Sequence, residues 1–499
     1  MNGTPLRARR LGIDTHDEAV VYMRADCPVC RAEGFAARAR IRVVAGARAV
    51  DATLSIVTGD LLAPGEAGLS DQAWAALGLS PGDPLQVAHP PPLASLTHLR
   101  RKMDGQRLGL EAMRQVIRDV AERRYSDLHL AAFLAACAGG GLDFHEVVCL
   151  TRAMIDAGDR LHWGRSQVVD KHCVGGLLGN RTSPIVVAIA AAHGLTIPKT
   201  SSRAITSPAG TADVMETLAP VDIGLDAMRR VVEREGGCVV WGGAVRLSPA
   251  DELLIRVERA LDIDTPGQLV ASVLSKKIAA GSTHVVIDIP HGPSAKVRSR
   301  EQAEQLASLV EGVGHMVGLV VRAVITDGSQ PVGRGFGPAL EAHDVIAVLR
   351  GEPGAPPDLR ERSLAIAAMV LELSPQVAPG QGLALARGIL EDGRAWRKLV
   401  AICEAQGGMR EPPVAPLRHD VSAPHAGRVS RIDNRRLARI AKLAGAPASP
   451  AAGLELHVRP GAAVEPGQPL FTIHAVARGE LEYALSYAAR EPDVVAVLP

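Results

Sequence analysis

The sequence predicts a multidomain protein of α/β and α+β class, on three observations. At 499 residues the chain is too long for one ordinary core. The spacing of its apolar residues changes along the chain, from near-alternation to helical steps and then to short runs between helical stretches. Two proline-rich segments, His89-Pro90-Pro91-Pro92 and Glu411-Pro412-Pro413-Val414-Ala415-Pro416, read as stiff boundaries where that spacing changes. The expected division is a small β-rich N-terminal domain (1–92), a helical domain (93–160), a central α/β domain with a largely parallel sheet (161–412) and a C-terminal α+β domain (413–499).

In the first block, runs such as Ala39–Val44 and Ala52–Val57 alternate between turn residues, the mark of half-buried strands. From Ser95 to about Asp159 the pattern is helical, and Leu110–Arg123 repeats apolar residues at three- and four-residue steps. Asp143-Phe144-His145-Glu146 has the form of a capping box opening a helix that carries Val147, Leu150 and Met154. Short helices with one apolar stripe imply a compact bundle. From Val168 to about Gly351 the runs Ile185–Ala191, Val239–Trp241, Val285–Ile289 and Leu319–Ile325 alternate with helical stretches, which implies the parallel sheet. A helical stretch from Asp358 to Ala405 follows. Beyond Val421, strand-like runs are separated by glycine turns such as Arg459-Pro460-Gly461.

Composition excludes several classes of function. Hydrophobic residues make up 47% and charged residues 22%, and the formal net charge is +1 with both signs interspersed. That balance leaves neither a nucleic-acid footprint nor a polybasic membrane patch. Aromatics at 3% argue against a stacking platform for single strands. The first twenty residues carry basic groups without a following apolar stretch, and Ile185–Leu195 is too short to span a bilayer. Seven scattered cysteines do not form a secreted disulfide framework. The expectation is therefore a cytoplasmic protein with no nucleic-acid or membrane partner. Cys27 and Cys30 form a C-x-x-C pair without a second pair at zinc-site spacing, so two reduced thiols in a surface turn are expected, and no metal.

Two polar clusters carry the chemistry. Asp170-Lys171-His172-Cys173-Val174-Gly175-Gly176 continues to Gly179, Asn180, Thr182 and Ser183, between Val168-Val169 and an apolar helix-like run. A strand, a Gly-rich turn and a helix start offer backbone N–H groups to an anion, with Lys171 adding charge and Ser183 a hydroxyl. The P-loop pattern is absent, and alone such a turn serves equally as a tight strand-to-helix connection. The second cluster, Pro198-Lys199-Thr200-Ser201-Ser202-Arg203-Ala204-Ile205-Thr206-Ser207-Pro208-Ala209-Gly210-Thr211, packs six hydroxyls and two cations into fourteen residues. Two such loops in one sheet domain would converge at the carboxyl ends of its strands, the usual ligand edge.

These motifs, with Ser272-x-x-x-Lys276-Lys277, resemble the thymidine phosphorylase family. Lys102-Met103-Asp104-Gly105, Thr326-Asp327, Gly337-Pro338-Ala339-Leu340-Glu341 and Ser422–Ala475 extend the resemblance over roughly residues 95–499. Lys199–Thr211 and Trp241-Gly242-Gly243 look closest to a long-chain branch that contains archaeal AMP phosphorylases and bacterial chains called thymidine phosphorylases. The resemblance implies phosphate contacts at Lys171, Ser183, Ser201, Ser202 and Thr211, and base contacts at His172, Ser272, Lys276 and Arg256. The AMP-type pattern implies ligand contacts at Gly176, Ser202, Arg203, Ala204, Ile205, Thr206, Ser207, Thr211, Ser272 and Lys296, with Asp264 as proton donor. Cys173 stands where the family commonly has serine, which replaces a strong hydroxyl donor by a weak thiol.

Such an enzyme breaks a C1′–N bond while phosphate attacks C1′, a matter of positioning and electrostatics. The base leaves more easily when hydrogen-bonded or protonated, a task for His172 or Asp264. The resemblance implies inorganic phosphate as co-substrate, no metal or organic cofactor, a closing cleft and a homodimer through the helical domain. Thymidine leads as substrate, with AMP as the alternative. Two other classes remain open to the sequence: a nucleotide-binding protein without catalysis, and a phosphoribosyltransferase, which would require pyrophosphate and Mg²⁺. The bland readings are a solvated helix face for Lys276 and Lys277 and a turn or cap for Asp264.

Overall fold

The computed structural model describes residues 5–204, 207–245 and 247–499, which fold into two compact units. The first holds the described residues up to Ala157 together with Pro249–Gln268, and the second holds Gly158–Ser248 together with Leu269–Pro499.

In the first unit, strands Leu6–Arg10, Val20–Arg24, Arg40–Ala45, Arg48–Val57, Glu66–Leu69 and Pro84–Ala88 close into a barrel. Alternation sends Ile41 and Val43 inward while Arg40 and Arg42 remain at least partly exposed. Leu6–Arg10 pairs with Glu66–Leu69 in parallel, as does Val20–Arg24 with Arg48–Val57. Cys27 and Cys30 are not in a surface turn. Cys27 precedes the helix Pro28–Glu33 and Cys30 lies in it, both buried in the barrel core. They pack as small apolar groups, with Cys30 Sγ 3.8 Å from Met23 Sδ. Burial and the neighbouring Cys27 push the Cys30 thiol up to about 12.

Four helices follow: Ser95–Met103, Leu110–Ala121, Asp127–Gly139 and Phe144–Asp156. The capping box is formed, with Glu146 N donating to Asp143 Oδ1 at 2.8 Å and Asp143 N to Glu146 Oε2 at 3.4 Å. The Glu146 carboxylate also receives Lys102 Nζ at 2.8 Å, a buried pair. Helix Pro249–Leu261 packs on the helices Leu110–Ala121 and Asp127–Gly139, although more than ninety residues separate it from the rest of its unit.

The second unit contains parallel strands in two sheets rather than one. Val320–Asp327, His284–His291 and Val169–Cys173 form the first, and Ile197–Ser201 with Gly237–Trp241 the second. Proline explains the break. Ile197 N donates to Gly236 O, so the next residue faces the other way, and Pro198 has no N–H to offer there. Two further expectations are corrected. Ile185–Ala191 lies within the helix Thr182–Ala192, which is buried on every side and so shows no polar stripe. Asp170, Lys171 and His172 belong to the strand Val169–Cys173 instead of a turn, and ion pairs and hydrogen bonds compensate the burial of Asp170 and Lys171.

Towards the C-terminus, Gly335–Phe336, Gly453–Leu456, Pro469–Ala475 and Leu417–Ser422 form an antiparallel sheet. Helices Asn434–Leu443 and Arg478–Arg490 pack on this C-terminal core. The result is an α+β arrangement to which Gly335–Phe336 brings a strand from earlier in the chain.

Candidate active site

The strand Val169–Cys173 places three consecutive polar side chains. Asp170 is fully buried, and its two oxygens face two cations, Lys277 Nζ at 2.7 Å and Lys199 Nζ at 3.8 Å. Lys171, one residue on, is 1% exposed and donates to Thr182 Oγ1 at 2.6 Å and Ser183 Oγ at 3.5 Å. Burial holds the Lys171 ammonium below its usual range, against the pull of Cys173 and Asp288. Lys199 is depressed further by burial and by Lys277. His172 is held well below its usual value by burial and by Lys277, Lys199, Lys276 and Lys171, so its imidazole is neutral near neutral pH.

Beyond the strand the chain turns through Gly175, Gly176 and Gly179, all at positive φ. A Cβ on Gly176 would lie 2.3 Å from the backbone nitrogen of Lys296, so these two family positions meet through backbone. Cys173 Sγ accepts from Gly175 N at 3.5 Å and Asn180 Nδ2 at 3.3 Å, and Asn180 also donates to Asp288 Oδ2 at 3.1 Å. Burial, then Asp288, pushes the Cys173 thiol up to about 11, which leaves it protonated.

Arg181 joins this loop to the hydroxyl-rich one. Its Nε donates to Glu341 at 2.7 Å, Nη1 to Thr211 Oγ1 at 2.7 Å and Nη2 to Ala209 O at 2.9 Å. Asp213 Oδ2 closes the hydroxyl-rich loop by accepting from Ala204 N at 2.6 Å and Gly210 N at 2.8 Å. Arg203 spends its charge on Asp213 and Glu216 and lies 4.9 Å over the Trp241 ring. Ser201 and Ser207 are half-buried and Ser202 exposed, while Ile205 and Thr206 lie outside the described residues. On the helix Pro266–Ala279, Lys276 Nζ donates to Ser272 Oγ at 3.0 Å. Lys277 is not on a solvated face: it is 2% exposed and bound to Asp170.

Lys171, His172, Gly176, Ser183, Ser201, Ser202, Arg203, Ala204, Ser207, Thr211, Ser272, Lys276 and Lys296 thus fold within one unit. Arg256 and Asp264 fold with the other. Arg256 donates to His16 O at 2.6 Å and to Asp127, and Asp264 is exposed ahead of the helix Pro266–Ala279. Sequence reasoning placed Thr182 and Lys199 in the two clusters without giving either a role, and it missed Arg181 and the pairing of Asp170 with Lys277. The available signal was charge inside otherwise apolar runs, since a buried ion must find a partner. Among the described residues no three His, Cys, Asp or Glu side chains gather as a metal site needs, and no helix is long and apolar enough to cross a membrane.

Three family models match the chain. They are the helical bundle domain of a glycosyl transferase family over residues 96–158, its a/b domain over 165–396, and the pyrimidine nucleoside phosphorylase C-terminal domain over 428–491. A Polaromonas protein named "Putative thymidine phosphorylase" is 62% identical over 99% of this chain and 96% of its own length. The chain belongs to the thymidine phosphorylase family. An Acidovorax member of the family, "Putative thymidine phosphorylase 2", is 61% identical over the same shares of the two chains. As a family member the chain is an enzyme, a pentosyltransferase of the thymidine phosphorylase type. Among solved structures, anthranilate phosphoribosyltransferase from Thermus thermophilus aligns with a TM-score of 0.52 at 21% identity. It covers 62% of this thymidine phosphorylase family chain and 98% of its own, and shares the fold alone.

Proposed function

We propose that the enzyme cleaves thymidine with inorganic phosphate, giving thymine and 2-deoxy-α-D-ribose 1-phosphate. The observation that carries this reading is the linkage of two hydroxyl-and-cation groups at carboxyl ends of strands. Lys171 with Thr182 and Ser183 forms one, and Arg181 with Thr211 the other. Phosphate would be held by Lys171, Ser183, Ser201, Ser202 and Thr211, and the base by His172, Ser272 and Lys276, with Arg256 a further base contact. A phosphate oxygen forms the bond to C1′ while the C1′–N bond breaks and its electron pair leaves with the base. A neutral His172 serves that departure as a hydrogen-bond donor rather than as a strong acid. The reaction needs no metal or organic cofactor. The relatives' names support the choice of thymidine. A cytoplasmic homodimer formed through the helical domain belongs to the same proposal, as does the four-domain division at 92, 160 and 412, with Pro249–Gln268 going to the unit before 158.

One observation favours AMP as a second reading. Lys296 abuts Gly176, so positions that the AMP-type pattern gives to a phosphorylated ligand are adjacent. On that reading Gly176, Ser202–Ser207, Thr211, Ser272 and Lys296 hold AMP, and Asp264 donates the proton that releases adenine. The test is phosphate-dependent base release from thymidine and from AMP, with and without Mg²⁺. Thymidine turnover independent of Mg²⁺ is expected, and turnover of AMP alone would reverse the choice. In the same assay, His172→Ala should cost thymidine more than Asp264→Asn does. If AMP is the substrate, Asp264→Asn should lower kcat by about 10²–10⁴ with little change in KM.

A further inference from the structure

Arg181 is 9% exposed and engages three of its five N–H donors with partners on three segments. Glu341 belongs to the helix Pro338–Arg350, Ala209 to the hydroxyl-rich loop, and Thr211 opens the helix Thr211–Glu216. The Glu341 carboxyl is 2% exposed and accepts from Nε, which fixes the guanidinium plane. With that plane fixed, the other two nitrogens define where Ala209 O and Thr211 Oγ1 must sit. A hydroxyl has one proton and two lone pairs, and Arg181 occupies a lone pair of Thr211. The Thr211 proton therefore points away from Arg181, toward another acceptor. Next in sequence to Arg181, Thr182 accepts from Lys171 in the same manner. One residue thus ties the hydroxyl group beside Lys171 to the hydroxyl-rich loop.

We infer that Arg181 is a positioning residue for phosphate: clamped by Glu341, it orients the Thr211 hydroxyl as a donor to the anion and fixes the loop through Ala209. The inference rests on the phosphate-site reading above. Lysine cannot replace this function, because a single ammonium lacks the planar fork that serves three acceptors in fixed directions. Glycine at 210 supports a rigid loop, since a Cβ there would lie 2.6 Å from Ala204 N.

The test uses Arg181→Lys, Thr211→Val and the double variant, with inorganic phosphate and the better of thymidine and AMP as substrates. Arg181→Lys keeps a cation opposite Glu341 and should raise the phosphate KM about 10–100-fold, by far more than the KM of the nucleoside or nucleotide, and leave the melting temperature nearly unchanged. The double variant should be worse than Thr211→Val alone by clearly less than the fold-change of Arg181→Lys, because Arg181 acts mainly through that hydroxyl and only secondarily through Ala209. Multiplying fold-changes in the double variant, or an unchanged phosphate KM in Arg181→Lys, overturns the inference. Parallel losses in both KM values and in melting temperature also overturn it, since they mark a merely structural residue. If Arg181→Lys does not fold, the neutral pair Arg181→Gln with Glu341→Gln is read in the same way, and failure of both to fold counts against the inference. Lys171→Ala is the control. Unchanged phosphate KM in both Lys171→Ala and Thr211→Val would refute the phosphate site itself, whatever Arg181→Lys shows.

Discussion

Lys171 and Cys173 sit two residues apart on one strand, and substitution tests them in opposite directions. Lys171 keeps its ammonium out of solvent, and among the described residues its partners within hydrogen-bonding distance are the hydroxyls of Thr182 and Ser183. Lys171→Ala should lower phosphate-dependent turnover by about 10²–10³, corresponding to ~2.7–4 kcal/mol for one charge-assisted contact in a dry site. Near-normal kcat/KM for phosphate, with the fold checked by circular dichroism, would remove Lys171 from the site. Cys173 accepts hydrogen bonds from Gly175 and Asn180, a task that a serine oxygen also performs. Cys173→Ser should therefore keep activity, with a phosphate KM equal to or below that of the natural chain. Collapse of activity would mean that the larger sulfur is needed to reach Asn180.

At the scale of elements, the strand Val169–Cys173 concentrates basic groups that burial disfavours in charged form. His172 lies below its usual value, so the unfolded chain binds more protons in mild acid. Its contribution to stability is complete above about pH 6.5 and is lost as pH falls toward the folded value. Lys171 and Lys199 are depressed in the same direction. A bound anion would favour their charged forms, so phosphate binding should take up protons. Calorimetric titration at about pH 8 in buffers of different ionisation enthalpy measures this, and zero uptake or proton release would contradict it. Much of this element was hidden from sequence reading. The capping box at Asp143 was legible because it is local, needing only two residues three apart. Asp170-Lys171-His172 read as a turn because the partners that permit burial in a strand, Lys277 and Thr182, lie on other elements. Ile185–Ala191 read both as a strand-like run and as a helix-like one, because a helix buried all round carries no periodic polar face to decide between them. The glycine turns and hydroxyl loops were legible by composition, whereas Arg181 became visible only through its three partners.

For the whole molecule, the helix Pro249–Leu261 is the feature that sequence order conceals, since it folds with residues that precede 158. Leu253, Leu254 and Val257 are among its buried residues, each worth roughly 1.5–3 kcal/mol on full burial. A fragment of residues 1–157 should melt at clearly lower temperature than one in which 249–268 is attached through a flexible linker. Equal melting of the two fragments by circular dichroism would show that the helix contributes nothing to its unit. The same arrangement bears on how the chain is made. On the ribosome, residues 1–157 emerge complete in covalent terms but short of a helix that is not translated until 268 is reached. At usual elongation speeds the intervening stretch takes on the order of 10 s, long against the folding of small helical cores. During that interval the nascent helical bundle lacks the apolar side chains of Leu253, Leu254 and Val257, and the seam they cover stays open until its last piece arrives.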